Sequence, residues 1–524
     1  MNNKEVHKLT EEYGLASDWY STNETVRDSL EQDWRDSAQL TLPYVFPNDD
    51  TDQSQIMPTP FNSIGAGAVN SLSSKLLLAL LPPTGVFFRL LPDKELTKDV
   101  PQEGLKQLDV ELSKIEKDVI EYINQKAMRV PIFEALKLLV VTGNAMMYKV
   151  PNGSFKVFSP YQYVVQRDFV GQLLTACIKE TMAIDTLPPT VVEQIQEDSE
   201  ETPSEVVASQ GNTTQLKSVN VYTMIVRSGP SKYKVWQEIK GKVIEGTEKN
   251  FTEDTLPYLV LRWTTVNNED YGRGLVQQYL GDFRSLEGLT QTIVEGAGIS
   301  AMHLFGLRAG STLAVEDLNN AQNGEFVLGD LEKEVSVLQV NKGADLQVPL
   351  NLMAQLEQRI AKAFMMMSGQ VRDSERTTAT EVRATAAELE ATLGGVYSVL
   401  AAEFQKPLVM LILQELQPEV LKFTVPSVTT GISAISREKD FQNMNTMLQS
   451  IAQLGPEVIG QYLNVPAYLS AIATSLGLDP YEIVKSPEQI QGEQEQMQQQ
   501  QMQQQAQEVQ GQKEIDNNKQ EGAQ

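Results

Sequence analysis

The chain has 524 residues, 41% of them hydrophobic, which is enough for about three or four domains with sizeable cores. Its 69 acidic and 43 basic residues give a formal net charge of −26, which argues against a protein that grips nucleic acid electrostatically. The single cysteine, Cys177, leaves no intrachain disulfide or cysteine metal cluster to predict, as suits a reducing compartment.

Two segments concentrate the acidic charge. Residues 184–217 hold seven acids against one lysine, and residues 487–524 hold seven acids against two lysines. Solubility is the simplest interpretation of either patch. The N-terminus has no apolar signal core, and the longest apolar runs, 76–81 and 408–413, fall far short of the ~18 residues that a membrane span needs. We therefore expect a soluble, unexported protein without a membrane span.

The first 150 residues predict mainly helices. Small residues at 65–68 should let another backbone approach closely, Pro82-Pro83 ends the helix that contains them, and Gly143 ends a later one. The predicted helices are 29–40, 61–81, 105–126 and 133–141.

From residue 155 the pattern changes to strands separated by turn signals. The acidic segment 184–217 interrupts this region, and we expect it to be a flexible surface loop. Because strands and helices are grouped rather than alternating, the sequence predicts an α+β fold that is mostly helical. The predicted strands are 155–158, 163–167, 173–179, 219–227, 233–239 and 258–264.

Residues 272–300 then predict a helix, with Val276, Phe283 and Leu286 on its apolar face. Four glycines weaken it, each by roughly 1 kcal/mol relative to alanine, which is reasonable if the helix packs tightly against neighbouring copies. These are Gly281, Gly288, Gly296 and Gly298.

A β-rich insertion follows, with strands predicted at 325–328 and 335–340, and residues 351–367 predict a second helix. A polar segment, 368–379, leads from it into the longest helix, 380–417, roughly 57 Å at 1.5 Å per residue.

The start and the bends of that long helix are also predicted from sequence. Thr378 and Glu381 have the spacing of a capping box, while Gly394-Gly395 and Pro407 should bend the helix. Beyond it we predict an extended piece at 421–430 and helices near 440–454 and 466–476. The Gln-rich tail 487–524 should be disordered or loosely helical.

Enzyme motifs find little support. The two histidines, His7 and His303, are far apart, and Cys177 lies on a predicted strand where burial is more expected than reactivity. Gly241-Lys242 has no P-loop frame, and Y-G-R-G-L at 271–275 is better interpreted as the start of a helix than as part of a dinucleotide motif. Composition alone leaves a carboxylate-pair hydrolase open. We predict no enzyme, no cofactor and no metal site.

The order of helix, β-rich insertion, helix, polar loop and long bent helix resembles the portal (head-to-tail connector) proteins of short-tailed bacteriophages, the podoviruses. The likeness runs from about residue 20 to about residue 485, and its specificity comes from the number, order and spacing of matching segments. These are T-P-F-N-S-I-G-A-G-A-V-N-S-L-S-S-K-L-L-L-A-L-L-P at 59–82, F-E-A-L-K-L-L-V-V-T-G-N at 133–144, Y-V-V-Q-R-D at 163–168, Y-G-R-G-L-V-Q-Q-Y-L-G-D-F-R-S-L-E at 271–287 and T-E-V-R-A-T-A-A-E-L-E-A-T-L-G-G-V-Y-S-V-L at 380–400.

This resemblance implies the portal fold, with parts carried over by position. They are a wing at 1–270, a first stem helix at 271–302, a clip at 303–349, a second stem helix at 350–367, a channel-facing tunnel loop at 368–379, a long kinked helix at 380–417 joining wing to crown, a crown at 418–486 and the tail at 487–524.

It also implies a function. Twelve copies would form a ring at one capsid vertex, around a channel through which double-stranded DNA is packaged and ejected. The implied partners are the terminase packaging motor, tail or adaptor proteins, capsid and scaffolding proteins and internal core proteins. The implied location is the virion, with the host cytoplasm during assembly. A structural ring or collar through which no DNA passes is the alternative.

The resemblance singles out several side chains for the channel. In the tunnel loop Arg372 and Arg376 alternate with Asp373 and Glu375, and each arginine could contact DNA or form an ion pair at the helix start or between subunits. The other basic candidates, in the clip, are Lys333 and Lys342, for which simple solvent exposure is the alternative.

A run of methionines at 365–367 ends the second predicted stem helix. It could fill the core at a helix end, as the adaptable thioether side chain often does, or form a flexible gasket at the channel.

Overall fold

The computed structural model describes two compact units, Met1–Gly85 with Val119–Lys422 and Val86–Asp118 with Phe423–Gln524. Single described residues stand at positions 187, 328, 446, 449 and 468. The continuous described ranges are 12–47, 57–83, 87–92, 102–184, 218–300, 303–311, 313–322, 330–339, 347–366, 391–393, 395–419 and 424–427.

The helices of the N-terminal part are α1 (Ala16–Gln39), α2 (Ile64–Leu80), α3 (Gln102–Gln125) and α4 (Arg129–Thr142). The predicted helices are confirmed to within a few residues, except that α1 begins thirteen residues before its predicted start at 29. Its N-terminal end has little apolar periodicity but is held from outside, by a buried carboxylate of the sheet. Glu238 Oε2 accepts a hydrogen bond from Ala16 N at 2.8 Å.

That sheet is an antiparallel meander. The side of α1 that carries Ala16 and Tyr20 packs on it against Cys177, Met224 and Trp236, which are almost fully buried. Its strands are β4 (Tyr163–Arg167), β5 (Leu173–Ala183), β6 (Ser218–Gly229) and β7 (Lys232–Ile239), with β8 (Lys242–Val243) and β9 (Lys249–Thr252) both paired to β7.

A second sheet has the order β10-β2-β3, also antiparallel, and comprises β2 (Asn144–Lys149), β3 (Phe155–Phe158) and β10 (Tyr258–Arg262). All six predicted strands are confirmed, those at 155–158 and 163–167 with the predicted limits and the other four with shifted ends. Strand β2 was not predicted, because it is buried on both faces and therefore shows no alternation of polar and apolar residues.

Two glycine-containing segments meet backbone to backbone just after α4. Gly143 has a φ of +81°, and a Cβ added to it would lie 2.4 Å from Gly274 N. Beside it, the Asn144 side chain accepts from Gly272 N at 2.7 Å and donates to Gly272 O at 2.8 Å. The turn that ends α4 is thereby fixed to the segment that precedes the next helix.

A third segment joins the same junction. Asp270 Oδ1 accepts from Arg167 N at 2.6 Å, and the Tyr271 hydroxyl accepts from Val165 N at 3.3 Å. Of the segments that carry the family resemblance, 271–287 therefore contacts both 133–144 and 163–168.

This junction explains a difference from the predicted helix at 272–300. The helical part begins only at Leu275, because residues 272–274 are used in backbone contacts instead. It comprises α5 (Leu275–Gln278) and, after a break at Tyr279, α6 (Leu280–Ser300). The predicted helix start at Y-G-R-G-L is confirmed.

The next elements are β11 (His303–Leu307), α7 (Val315–Asn320), α8 (Leu331–Glu334), β12 (Val335–Gln339) and α9 (Gln347–Ala363). Strands β11 and β12 pair in antiparallel register, from His303 opposite Gln339 to Leu307 opposite Val335. The predicted strand at 335–340 is confirmed. Of the one predicted at 325–328, the structure describes residue 328 alone, which lies in no strand.

The long predicted helix is described from residue 391, and its proposed capping box lies outside the described residues. It comprises α10 (Gly395–Leu400), a π-turn (Ala401–Gln405) and α11 (Lys406–Leu416). Lys406 N donates to Ala401 O, five residues back. Pro407 follows with no N–H to donate, and its ring would collide with a carbonyl of the preceding turn in a regular helix. The distortion predicted at Pro407 thus lies just before it.

The run Gly395–Leu416 is long and apolar enough to cross a membrane by length and composition. We treat it as a core helix, since Leu400, Phe404 and Leu408 are buried within the first unit. Counting uninterrupted apolar residues missed this run because Gln405 and Lys406 divide it.

Glu415 fixes the C-terminal end of α11. Its carboxylate accepts from Tyr122 Oη at 2.5 Å, Lys149 Nζ at 2.9 Å and Asn152 N at 3.1 Å. Burial opposes ionisation of Glu415, but these hydrogen bonds outweigh it and lower the pKa of the carboxyl below its ordinary 4.5.

In the second unit, β1 (Arg89–Pro92) pairs antiparallel with β13 (Thr424–Ser427). Leu90 N donates to the buried Glu116 Oε1 of α3 at 2.8 Å. Strand β13 confirms the predicted extended piece at 421–430 over residues 424–427, the part of it that the structure describes. The helices predicted near 440–454 and 466–476 lie outside the described residues apart from positions 446, 449 and 468, and the Gln-rich tail lies wholly outside them.

We expect Gly143→Ala to destabilise the protein by roughly 3 kcal/mol or more, because alanine is strained at positive φ and its Cβ would strike backbone. Urea unfolding measures the loss. Gly246→Ala is the matched control, with the same φ of +81° but open space around the Cβ, and should lose about 1–2 kcal/mol. Equal losses would show that the close approach does not matter.

We expect Glu415→Gln to lower the free energy of unfolding by about 1–3 kcal/mol at pH 7, because it removes a charged acceptor of three hydrogen bonds. The folded pKa is depressed, so this contribution is present above pH 4.5 and disappears as the pH falls through the folded pKa. Unfolding curves of both proteins from pH 7 to pH 3 should converge at the acid end. A gap independent of pH would contradict the assignment.

Candidate functional site

Helices α6 and α9, predicted to be the stem, pack side by side. Phe364 lies edge-on to Tyr279 and Phe283, with ring centroids 5.9 and 5.7 Å apart. Further along, Thr290 Oγ1 lies 3.7 Å from Met353 Sδ, so the helices run antiparallel. Buried aromatic contacts at one end thus set the spacing of the pair.

Ion pairs add to this packing on the exposed side. Arg359 Nε of α9 lies 3.0 Å from Asp282 Oδ2 of α6, and Arg284 of α6 pairs with Asp36 of α1. The side chains of Arg359 and Arg284 are more than half exposed, so we assign these pairs a role in orientation more than in stability.

A short segment before α2 clamps the helix pair. Glu287 of α6 accepts from the backbone N–H groups of Phe61 and Asn62, at 2.7 and 3.2 Å. The Asn62 amide donates to Thr290 Oγ1 at 3.3 Å and to Glu357 Oε1 of α9 at 3.1 Å. Its carbonyl oxygen also accepts from Ile64 N at 2.9 Å, at the start of α2. One asparagine therefore ties three helices together.

Three of the four predicted packing glycines of α6 face open space within the chain. A Cβ added at Gly281, Gly288 or Gly298 would meet no heavy atom of the described residues within 4 Å. Gly296 lies on the same helix and is partly buried. The fold of a single copy therefore gives no steric reason for glycine at those three positions.

The C-terminal end of α9 is a Schellman motif built on a methionine. Met365 has a left-handed φ of +57°, Met366 N donates to Ala361 O at 2.7 Å, and Met365 N donates to Lys362 O at 3.2 Å. Met365 is 3% exposed, which supports the helix-end interpretation over the gasket for this residue. Met367 lies outside the described residues.

The buried ammonium of Lys75 binds this helix end. Lys75 Nζ of α2 donates to Met365 O at 2.6 Å. A Cβ at Gly67, also on α2, would lie 3.2 Å from Met366 Cε. The expected close approach at 65–68 is confirmed more strongly at Gly65, where a Cβ would lie 2.4 Å from Leu40 O.

The β-ribbon predicted as the clip carries one described basic candidate. Lys333 is largely exposed and pairs with Asp330 Oδ2 at 2.8 Å, three residues before it. This contact is local and agrees with the solvent-exposed interpretation. Lys342, together with the tunnel-loop residues Arg372, Asp373, Glu375 and Arg376, lies outside the described residues.

The π-turn is held by an ion pair with the sheet. Glu403 Oε1 lies 2.9 Å from Arg262 Nη2 of β10. The neighbouring Arg167 is partly buried, and desolvation together with the charge of Arg262 lowers the pKa of Arg167 to about 10. The Glu403 carboxylate therefore offsets part of the positive charge of Arg262 and Arg167.

Several of these polar residues were missed from sequence, although signals exist. Lys75 is the one charged residue in α2, and Gln405 interrupts an apolar helix just before Pro407. A lone polar group at a core position must find a partner, so each marks a tertiary contact.

Of the groups considered for catalysis, the structure describes the surroundings of Cys177 alone. Cys177 is buried, and burial raises the pKa of its thiol well above the ordinary value, which disfavours a nucleophile. His303 begins β11, and His7 lies outside the described residues. Within the described part of the chain, no three His, Cys, Asp or Glu residues converge as a metal site would require.

Comparison with known proteins gives matches over nearly the whole chain. The family described as bacteriophage head to tail connecting protein matches residues 15–484. The portal protein of Enterobacteria phage T3 is 35% identical over 466 residues, covering 87% of this chain and 85% of that protein. The portal protein of Escherichia phage T7 is 34% identical over 499 residues, covering 91% and 90%.

Among solved structures, a chain from the neck of an empty gene transfer agent particle aligns with 80% of this chain and 91% of its own length. It has 13% identity and a TM-score of 0.34, a similarity too low to support any inference.

We expect Asn62→Ala to destabilise the protein by about 2–3 kcal/mol, because it leaves Thr290, Glu357 and the start of α2 without a shared partner. Thermal or urea unfolding measures the effect. Asn23→Ala, which removes a single bond within α1, should lose less than about 1 kcal/mol. A loss at Asn62 no larger than at Asn23 would show that the clamp carries little energy.

Proposed function

The chain belongs to the bacteriophage head-to-tail connecting proteins, the portal proteins of podoviruses, and from this we propose that its copies close into a ring of twelve around a DNA channel. The ring would stand at one capsid vertex, serve packaging and ejection of double-stranded DNA, and offer a platform to the packaging motor and the tail.

The observation that carries this proposal is the family match over residues 15–484. The order of elements supports it: an antiparallel helix pair, α6 and α9, encloses a β-ribbon in sequence, as a stem with a clip at its tip requires. We accordingly assign α6 and α9 to the stem, and β11 with β12 to the clip, as part of the proposal.

The charge of the chain suits a channel that must let DNA slide. Each Lys or Arg contact to phosphate releases counterions and adds affinity, so a basic lining would hold the duplex. Twelve copies at −26 each carry −312, part of which lies away from the channel. A mainly acidic wall repels phosphates and keeps DNA near the axis.

We propose that a few cations provide weak, transient contacts in that wall. Arg372 and Arg376, interleaved with Asp373 and Glu375, are the candidates in the tunnel loop. Lys342 is a further candidate in the clip. Lys333 is the weaker clip candidate, because it already forms a local ion pair with Asp330.

Ring closure needs each copy to bury surface against both neighbours in a head-to-tail contact. The glycines of α6 that face open space would let a neighbouring helix approach closely. Apolar side chains on the same helix pair are also exposed in the single chain: Val294, Val348 and Leu352, at 53%, 73% and 46%. Both features fit a surface covered by another copy.

The further partners follow from the family and belong to the same proposal. They are terminase, tail or adaptor proteins, capsid and scaffolding proteins and internal core proteins, met in the host cytoplasm during assembly. No catalysis is proposed: its relatives are named portal proteins, and a separate motor would hydrolyse ATP.

A structural ring or collar without DNA passage is the alternative function. It would share the helices and the oligomer but would not require a bore as wide as a duplex, lined by acidic and polar groups. Electron microscopy of the purified particle distinguishes the two functions by the width and the lining of the pore: a bore narrower than a DNA duplex would favour the collar.

We expect the double reversal Arg372→Glu with Arg376→Glu to leave rings intact and to lower the yield of DNA-filled particles roughly tenfold, through lost phosphate contacts. Gel filtration and electron microscopy check the rings, and nuclease-protected DNA measures filling.

The matched control is Lys232→Glu with Lys249→Glu, two exposed lysines of the sheet, which changes the net charge equally. Collapse of the rings would make the arginines structural. An equal defect in the control would attribute the effect to net charge.

A further inference from the structure

The C-terminal end of α2 is capped by side chains from distant parts of the chain. A helix end leaves its last carbonyls without intrahelical donors, and the two prolines that follow at 82 and 83 have no N–H to offer. Ala79 O accepts from Tyr397 Oη at 3.2 Å, and Leu80 O accepts from Gln405 Nε2 at 2.7 Å. Both contacts are buried, so each donor satisfies a carbonyl that water does not reach.

The same helix holds the end of α9, one turn earlier. Lys75 Nζ donates to Met365 O, the carbonyl of a non-glycine residue in the left-handed conformation. Such a residue persists when its surroundings hold it, and here the buried ammonium is part of those surroundings. Lys75 and Leu80 are five residues apart on one rigid helix.

Gln405 is also the last residue of the π-turn. A helical turn can close with a spacing of four or five residues, and these are two discrete hydrogen-bond arrangements. The five-residue spacing between Lys406 N and Ala401 O occurs together with two side-chain contacts. Gln405 is hydrogen-bonded to Leu80 O, and Glu403 forms an ion pair with Arg262. Changing the spacing would rotate these side chains around the helix, so we expect the five-residue turn and its two contacts to be kept or lost together.

We propose that α2 couples the C-terminal end of α9 to the π-turn, with Lys75, Tyr397 and Gln405 as the positioning residues. The link runs through buried hydrogen bonds and bypasses residues 367–390. Its consequence for DNA rests on the proposed function: a displacement of the stem would reach the long helix through the wing. The coupling itself requires neither a ring nor DNA.

Hydrogen exchange on the full-length protein, in whichever oligomeric state it is purified, tests the coupling from both sides. Lys75→Met should raise exchange not only near Met365 but also at the Lys406 amide, which reports the π-turn, by about tenfold, within the usual range for coupled sites. Tyr397→Phe removes one hydroxyl and keeps the ring. Because coupling is reciprocal, Tyr397→Phe should raise hydrogen exchange at the Met366 amide by a similar factor.

Lys137→Met is the matched control. It removes an ammonium as buried as that of Lys75, whose partners Tyr44 and Glu134 lie outside α2, α9 and the π-turn. Lys137→Met should leave hydrogen exchange at the Lys406 and Met366 amides unchanged. The proposal is overturned if the changes caused by Lys75→Met and Tyr397→Phe stay on their own sides of α2, or if Lys137→Met reproduces them.

If Lys75→Met does not fold, the Tyr397→Phe result decides alone. Failure of the proposed function would instead appear as absent rings or unfilled particles, with the exchange pattern unaffected.

Discussion

The backbone contact between Gly143 and Gly274 determines where the rest of the first unit can go. It joins the end of α4 to the start of α5 with no room for a side chain, and Asn144 closes it with two hydrogen bonds to Gly272. From this junction α5 and α6 leave in a fixed direction, and Asp270 and Tyr271 attach the six-stranded sheet to it. Gly143, Gly274 and Asn144 therefore fix the point from which the chain enters the helix pair.

The sequence was most informative where one face of an element is buried. Strands such as β3 and β4 alternate clearly, and their predicted limits agree with the structure. Prediction failed where tertiary contacts override local pattern. The start of α1 is capped by Glu238, more than 200 residues away, and β2 is buried on both faces and shows no period. Residues 272–274 satisfy a helical pattern but are held by other contacts, Gly272 by Asn144 and Arg273 by a bridge to Thr264.

The candidate site was predictable in outline and not in its connections. Spacing of apolar residues indicated α6 and α9, and the family resemblance indicated that they belong together. Their clamp at Asn62 could not be foreseen, since an asparagine before a helix is commonly a local cap, and here it also binds two other helices. The bend at Pro407 was expected from the missing N–H, but the five-residue turn that accommodates it depends on partners at Leu80 and Arg262.

The pairing of β1 with β13 has a consequence for biosynthesis. Arg89 lies opposite Ser427, so a segment near the N-terminus finds its partner more than 330 residues later. At a synthesis rate of ~5–20 residues per second, the second unit waits roughly 20 s to a minute after residues 89–92 leave the ribosome. During that time an unpaired edge is open to other nascent chains. The synthesis of residues 424–427 thus controls when this strand pair can form, and a translation product that stops before them cannot enter an oligomer with the pair in place.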